Sequence, residues 1–241
     1  MNLVVLPSPA AVAERAHELL WEHYFRAIAE RNRFTVALSG GSTPRQLHAI
    51  LADDPDFDWT RVFITLSDER WVPADDEQSN ARMVHETLLQ YAPEAEFLPL
   101  YHGTSPAEDA ERASKAMTKA LQKARGLDML FAGIGADAHT LSLFPGEPYA
   151  ATWQDRPGVV IDTTAPVNAP DRLSLSVEFA LRSQQIIVLA TGTEKADALA
   201  HAIESPIDPA TYPVQALVRA GNAVVTILAD TAAAAKLSSA A

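Results

Sequence analysis

Short apolar runs rich in β-branched residues recur along this chain, at residues 3–6, 34–38, 62–66, 127–132, 159–161, 186–190 and 224–228. Each has the length of a strand, and their near-continuous hydrophobicity is what strands buried on both faces require. Helix-period segments lie between several of them. In residues 8–31 the apolar positions are Val12, Ala16, Leu19, Leu20, Tyr24, Ala27 and Ile28, a single amphipathic stripe. Residues 106–124 repeat the pattern with Ala110, Ala113, Met117, Ala120 and Leu121. Strands alternating with helices predict βαβ units, hence an open, mainly parallel α/β sheet with helices on both faces. No internal repeat or shift in composition marks a boundary, so residues 1–241 read as one domain. Residues 145–170 read as an irregular crossover or lid, and the alanine-rich tail at 231–241 as a terminal helix or a fraying end.

Bulk properties narrow the function. With 241 residues, 48% hydrophobic and 21% charged, the chain can bury a substantial core. No stretch approaches 18 consecutive apolar residues, so no membrane span is expected. The start, Met1-Asn2-Leu3-Val4-Val5-Leu6-Pro7, lacks the basic region and apolar length of a signal peptide. The absence of cysteine removes disulfide and thiolate chemistry and is compatible with a cytoplasmic enzyme. A net charge of −12 disfavours nucleic acid as partner. It also serves solubility, and it leaves room for one small phosphorylated ligand held by local cations and backbone N–H groups.

Four segments carry the chemistry. Ser39-Gly40-Gly41-Ser42-Thr43-Pro44 follows the run at 34–38 and precedes a helix, with Thr43 as expected N-cap and Pro44 at the first helical position. Its glycines let backbone N–H groups converge on an anion, although the spacing is not that of a Walker loop. Asp68-Glu69-Arg70 follows the run at 62–66, where three successive charges must pair, meet a ligand or face water. Gln78-Ser79-Asn80 supplies a cap for a helix carrying Met83, Leu88 and Leu89. Gly133-Ile134-Gly135-Ala136-Asp137-Ala138-His139-Thr140 then sets a carboxylate and an imidazole at the carboxyl end of a strand, where open α/β sheets bind ligands. Last come Arg172, at the start of an alternating strand, and Gly192-Thr193-Glu194-Lys195, with Thr193 as expected cap. A lysine in a first helical turn opposes the helix dipole and needs solvent or an anion. Taken singly, each segment also fits a capped turn or a solvated charge. Together they favour phosphate binding. A dinucleotide fingerprint at Gly133 is rejected because Leu143-Phe144-Pro145-Gly146 interrupts any long helix after it. The scattered histidines, with no second histidine near His85-Glu86, argue against a metal.

The ordered set of segments resembles the 6-phosphogluconolactonases within the glucosamine-6-phosphate isomerase/deaminase superfamily. The matching residues are Ser39 to Pro44, Asp68-Glu69-Arg70 with Val72-Pro73 and Ser79-Asn80, Gly133, Gly135, Asp137, His139 and Thr140 with Ser142 to Gly146, and Gly192 with Lys195. The resemblance implies a Rossmann-like fold and hydrolysis of 6-phospho-D-glucono-1,5-lactone to 6-phosphogluconate without metal or cofactor. It makes the lactone sugar phosphate the small-molecule partner and leaves the oligomeric state open. It further implies that His139 is the general base, that Asp137 orients the site, that Asp68 contacts the sugar, and that Arg70 stabilises the oxyanion. Ser39, Gly40, Gly41, Ser42 and Thr43, with Arg172 and Lys195, would hold the phosphate. Histidine suits the base role because its ordinary pKa lies near neutrality.

Two positions depart from the family pattern. Ala138 stands where glycine is usual, and a positive φ there would cost about 1–3 kcal/mol. Leu141 stands where a smaller residue is common. The deaminase/isomerase branch carries a glutamate after its histidine in an Asn-Glu-Pro sequence; Leu143-Phe144-Pro145 puts Phe144 in that place. A sugar-phosphate-binding regulator without catalysis is a further alternative, and it leaves Asp137, His139 and Arg70 without a task.

Overall fold

The strands hold few polar side chains at their centres, so the sheet must lie between helices. The computed structural model describes residues 1–121, 126–147, 158–167, 169–220 and 225–238. In chain order the elements are β1 (Asn2–Leu6), α1 (Pro9–Arg31), β2 (Phe34–Leu38), α2 (Ser42–Ala52), β3 (Val62–Leu66), β4 (Asp68–Arg70) and α3 (Asn80–Val84). A π-helical turn at His85–Leu89 follows, then β5 (Glu96–Leu98), α4 (Pro106–Leu121), β6 (Met129–Gly133), β7 (Val160–Thr164) and β8 (Asp171–Leu175). The chain ends through α5 (Val177–Ala180), β9 (Gln185–Ala190), α6 (Ala196–Glu204), α7 (Gln215–Val218) and β10 (Val225–Asp230).

Seven strands form a parallel sheet in the order β1-β10-β9-β6-β2-β3-β5. Every residue of β2, β3, β9 and β10 is buried, as their apolar sequences demand. From β2 the chain steps through α2 to β3 and β5; it then returns through α4 to β6, on the other side of β2. Crossovers of one hand that run in opposite directions put their helices on opposite faces. The reversal falls between β2 and β6, and the loops leaving their carboxyl ends part there to open a crevice. Helix α1 starts where Ser8 accepts from the Ala11 N–H at 3.2 Å, with Pro9 in the first turn. It ends at Asn32, whose φ of 55° is left-handed, and it packs on α2, β2 and β10.

A second, antiparallel sheet of order β4-β8-β7 was not legible as such in the sequence. Ser67 joins the two sheets: its N–H donates to the Leu38 carbonyl of β2, and its carbonyl accepts from Leu175 of β8. The region 145–170 is thus less irregular than expected, since residues 160–164 pair with β8; residues 148–157 and 168 lie outside the described residues. The tail expectation is also modified. Residues 231–236 are turns rather than a helix, Ala233 and Ala234 are buried, and Lys236 pairs with Asp197 at 2.7 Å.

Candidate active site

The turn after β6 is built around two residues. Asp137 Oδ1 accepts from the His139 N–H at 3.1 Å and from His139 Nδ1 at 2.6 Å. The turn closes through Gly135 N–H to the His139 carbonyl and Ala138 N–H to the Gly135 carbonyl. A Cβ on Gly135 would stand 2.0 Å from His139 Nδ1, so only glycine fits beneath the ring. Burial pushes the Asp137 carboxyl up, but the bonds and charge of His139 outweigh it and hold it below the usual carboxylate range. An ionised Asp137 accepts, so Nδ1 carries the proton and Nε2 is left as the basic nitrogen. The Phe144 ring packs on the imidazole, with centroids 4.6 Å apart. Ala138 has φ 66° and Leu141 φ 54°. The strain expected at Ala138 is present, and Leu141 shares it.

Strand β4 supplies the facing wall. Asp68 and Arg70 lie on one face and Glu69 on the other, by the alternation of a strand. Glu69 is wholly buried and accepts from Arg70 N–H, Asn80 N–H, Ala81 N–H and the Ser79 hydroxyl, so it anchors the start of α3 and does not meet the cleft. Burial raises its pKa above the ordinary carboxylate value despite those donors. Arg70 Nη1 donates to the Gln78 carbonyl at 2.6 Å and approaches Asn80 Oδ1 at 3.4 Å. Arg172 stands opposite Arg70 in the β4–β8 register, so the two guanidiniums share a face. Arg172 is buried, its Nη1 has no partner among the described residues, and burial, then Arg70, lowers its pKa.

Between the turn after β6 and strand β4 lies a cleft of about 240 Å³ at the β2/β6 crevice. Of the expected site residues, Ser39, Gly40, Gly41, Asp68, Arg70, His139 and Lys195 line it. Asp137 reaches it through His139. Ser42, Thr43 and Arg172 do not line it: Ser42 is exposed, Arg172 lies beside Arg70, and the Thr43 hydroxyl meets that of Thr191 at 2.6 Å, bridging the start of α2 and the loop after β9. Nor does Thr43 cap α2. The cap is Gly41 at φ 118°; in the later segment Gly192 at φ 92° caps a 3-10 turn, Thr193–Lys195, and Lys195 rather than Thr193 stands at the cap position of α6. A glycine with positive φ turns the chain where a threonine would be strained. The Gly192 N–H is taken by Asp230.

Asn80, Ile134 and Leu141 also line the cleft, as do Gly133 and Gly135. Asn80 donates to the Asp68 carbonyl at 2.9 Å, and its Oδ1 occupies the space a Cβ on Gly40 would need, 2.1 Å away. The helix-start signal at Ser79 located this residue in the chain, but only the fold brings it against Gly40.

An open, doubly wound sheet with an imidazole–carboxylate pair and two cations at its switch crevice defines a small-molecule α/β protein. The chain belongs to the glucosamine-6-phosphate isomerase/6-phosphogluconolactonase family, whose sequence model matches residues 7–227. A 6-phosphogluconolactonase of Rhizobium meliloti (strain 1021) is 34% identical over 221 residues, covering 90% of this chain and 94% of its own. The crystal structure of a 6-phosphogluconolactonase from Shewanella baltica OS155 matches with TM-score 0.87 and 28% identity, over 96% of this chain and 98% of that one. The three-dimensional structure of 6-phosphogluconolactonase from Trypanosoma brucei matches with TM-score 0.82 and 27% identity, over 98% of each chain.

Proposed function

We propose that this chain hydrolyses 6-phospho-D-glucono-1,5-lactone to 6-phosphogluconate, with His139 as general base. The observation that carries this reading is the Asp137–His139 pair on the wall of a cleft that also presents Arg70 and Lys195. His139 Nε2 takes a proton from water as its oxygen attacks the lactone carbonyl. Charge gathers on the carbonyl oxygen, where Arg70 stabilises it. The intermediate collapses with cleavage of the bond to the ring oxygen, which leaves with the proton from His139. Asp137 holds Nδ1–H throughout and stabilises the transient imidazolium. Asp68 accepts from a sugar hydroxyl. Lys195 and the glycine loop hold the phosphate through Gly40 and Gly41, which line the cleft, while Ser42 and Arg172 do not line it and Arg172 adds its charge from beside Arg70. The same reading assigns the chain to the cytoplasm and to the oxidative pentose phosphate pathway.

The deaminase/isomerase alternative needs a second carboxylate at the histidine. Phe144 instead presents an apolar ring to it. The test is lactone hydrolysis with substrate generated in place and the spontaneous rate subtracted, beside His139→Ala. The wild type accelerates hydrolysis, and the variant loses about 10²-fold in kcat with little change in KM. No acceleration by the wild type sinks the lactonase reading, and near-normal turnover by the variant removes His139 from the base role. Ammonia release from glucosamine-6-phosphate points to the other branch.

A further inference from the structure

The sequence leaves Ser142 without a task, and it does not line the cleft. It is 1% exposed, which rules it out as a nucleophile, yet each of its polar groups is engaged. Its N–H donates to Ser174 Oγ of β8 at 3.2 Å, and its carbonyl accepts from Thr163 Oγ of β7 at 2.7 Å. Its hydroxyl donates to Asp68 Oδ2 at 2.7 Å. The other carboxylate oxygen, Oδ1, accepts from the buried Ser67 hydroxyl at 2.9 Å. Asp68 is therefore held by two buried hydroxyls, one on each oxygen, while it faces the cleft. Ser142 itself lies three residues after His139, and the left-handed Leu141 turns the chain into it.

We infer that Ser142 is a positioning residue that fixes the Asp68 carboxylate as an acceptor and ties its place to that of the His139 turn. The strained backbone at Leu141 and the two backbone anchors hold the Ser142 hydroxyl in place, so the carboxylate cannot rotate without losing a charge-assisted bond. Each carboxylate oxygen keeps acceptor capacity for the ligand beyond the serine bond it already makes. The assignment of Asp68 to a sugar hydroxyl rests on the lactonase reading; the geometric role of Ser142 does not.

Two measurements separate them. In a crystal structure of Ser142→Ala, the Asp68 carboxylate turns away from its wild-type orientation while the His139 turn keeps its backbone path. An unmoved carboxylate overturns the inference whatever the protein catalyses. In lactone kinetics, Ser142→Ala raises KM about ten-fold with a smaller change in kcat, the scale of one hydrogen bond to a charged group. The same substitution made in an Asp68→Ala background alters KM less than about two-fold, because its effect is routed through Asp68. Full additivity of the two substitutions overturns the inference, since a purely structural role would persist without Asp68. A wild type with no lactonase activity refutes the functional reading and leaves the crystallographic comparison to decide Ser142.

Discussion

The two sheets are built on opposite terms. The parallel sheet is apolar along most of its central strands, with Thr35, Thr65 and Gln185 as buried polar exceptions, and its cleft residues sit in the loops beyond the strands' carboxyl ends. The antiparallel sheet of β4, β8 and β7 holds Glu69, Arg172, Ser174 and Thr163 buried, and places Asp68 and Arg70 on the cleft. In the first, folding and chemistry are separable, because a core side chain can change without touching a site atom. In the second they are not, because the hydrogen bonds that hold the strands and α3 also aim the side chains.

Glu69→Ala tests the second half of that contrast most severely. It strands four donors that now share a buried carboxylate. It should cost about 3–5 kcal/mol in urea unfolding and at least ten-fold in kcat/KM. A stable but inactive variant, or an active but unstable one, would break the coupling. Phe34→Ala, at the start of β2 and fully buried, should cost a similar 3–5 kcal/mol in the same unfolding experiment. Its activity per folded molecule should stay within about two-fold, since the site lies at the strand's other end.

The helical layer over the parallel sheet buries a titratable histidine. His48 on α2 is fully buried, and Thr87 Oγ1, which donates to the Met83 carbonyl, can only accept from His48 Nδ1. Nε2 thus carries no proton and has no partner among the described residues. Burial, aided by Arg45, lowers its pKa from 6.5 to about 4. The unfolded chain therefore binds a proton between these values that the folded chain refuses. Stability contributed by the neutral His48 is complete above about pH 6.5, falls as pH drops through that window, and levels off below about 4. The span corresponds to about 3 kcal/mol. Comparing wild type with His48→Leu in unfolding experiments at pH 7 and pH 4.5 should show the wild type losing more. An equal loss would remove His48 from the account.

The smallest effect concerns the loop between the sheets. Ala138→Gly relieves a left-handed alanine but loosens the unfolded chain, leaving a gain below about 1 kcal/mol in thermal unfolding. A loss would show that the buried methyl packs better than the strain costs.

Most of the parallel sheet was legible because each strand is an apolar run with no competing signal. β5 was not, being only Glu96–Leu98 at an edge, with its first residue exposed. β4 was hidden for a different reason: three successive charges carry no apolar alternation, and their strand character comes from pairing with β8, about a hundred residues away in the chain. The site residues were legible as types but not as roles. Asp68, Glu69 and Arg70 look equivalent in a row, and only the pleat shows which one turns inward. Thr43 looked like a cap and a phosphate ligand, whereas its hydroxyl meets Thr191 across the β6 strand. That contact spans 148 residues of sequence, so no local pattern announces it. Ala138 was the opposite case, a departure whose positive φ could be anticipated because a glycine's usual place implies one.

The inward turn of Glu69 between Asp68 and Arg70 has an evolutionary corollary. A strand's faces alternate residue by residue, so losing or gaining one residue at the Ser67 junction would exchange the hidden carboxylate for the two side chains that face the cleft. Substitutions at this segment can be sampled one at a time and selected by degree. Changes in its length cannot, because a single indel would bury an arginine and strip the cleft at once. Lineages descended from such a protein should therefore drift in composition around this junction while keeping its residue count fixed.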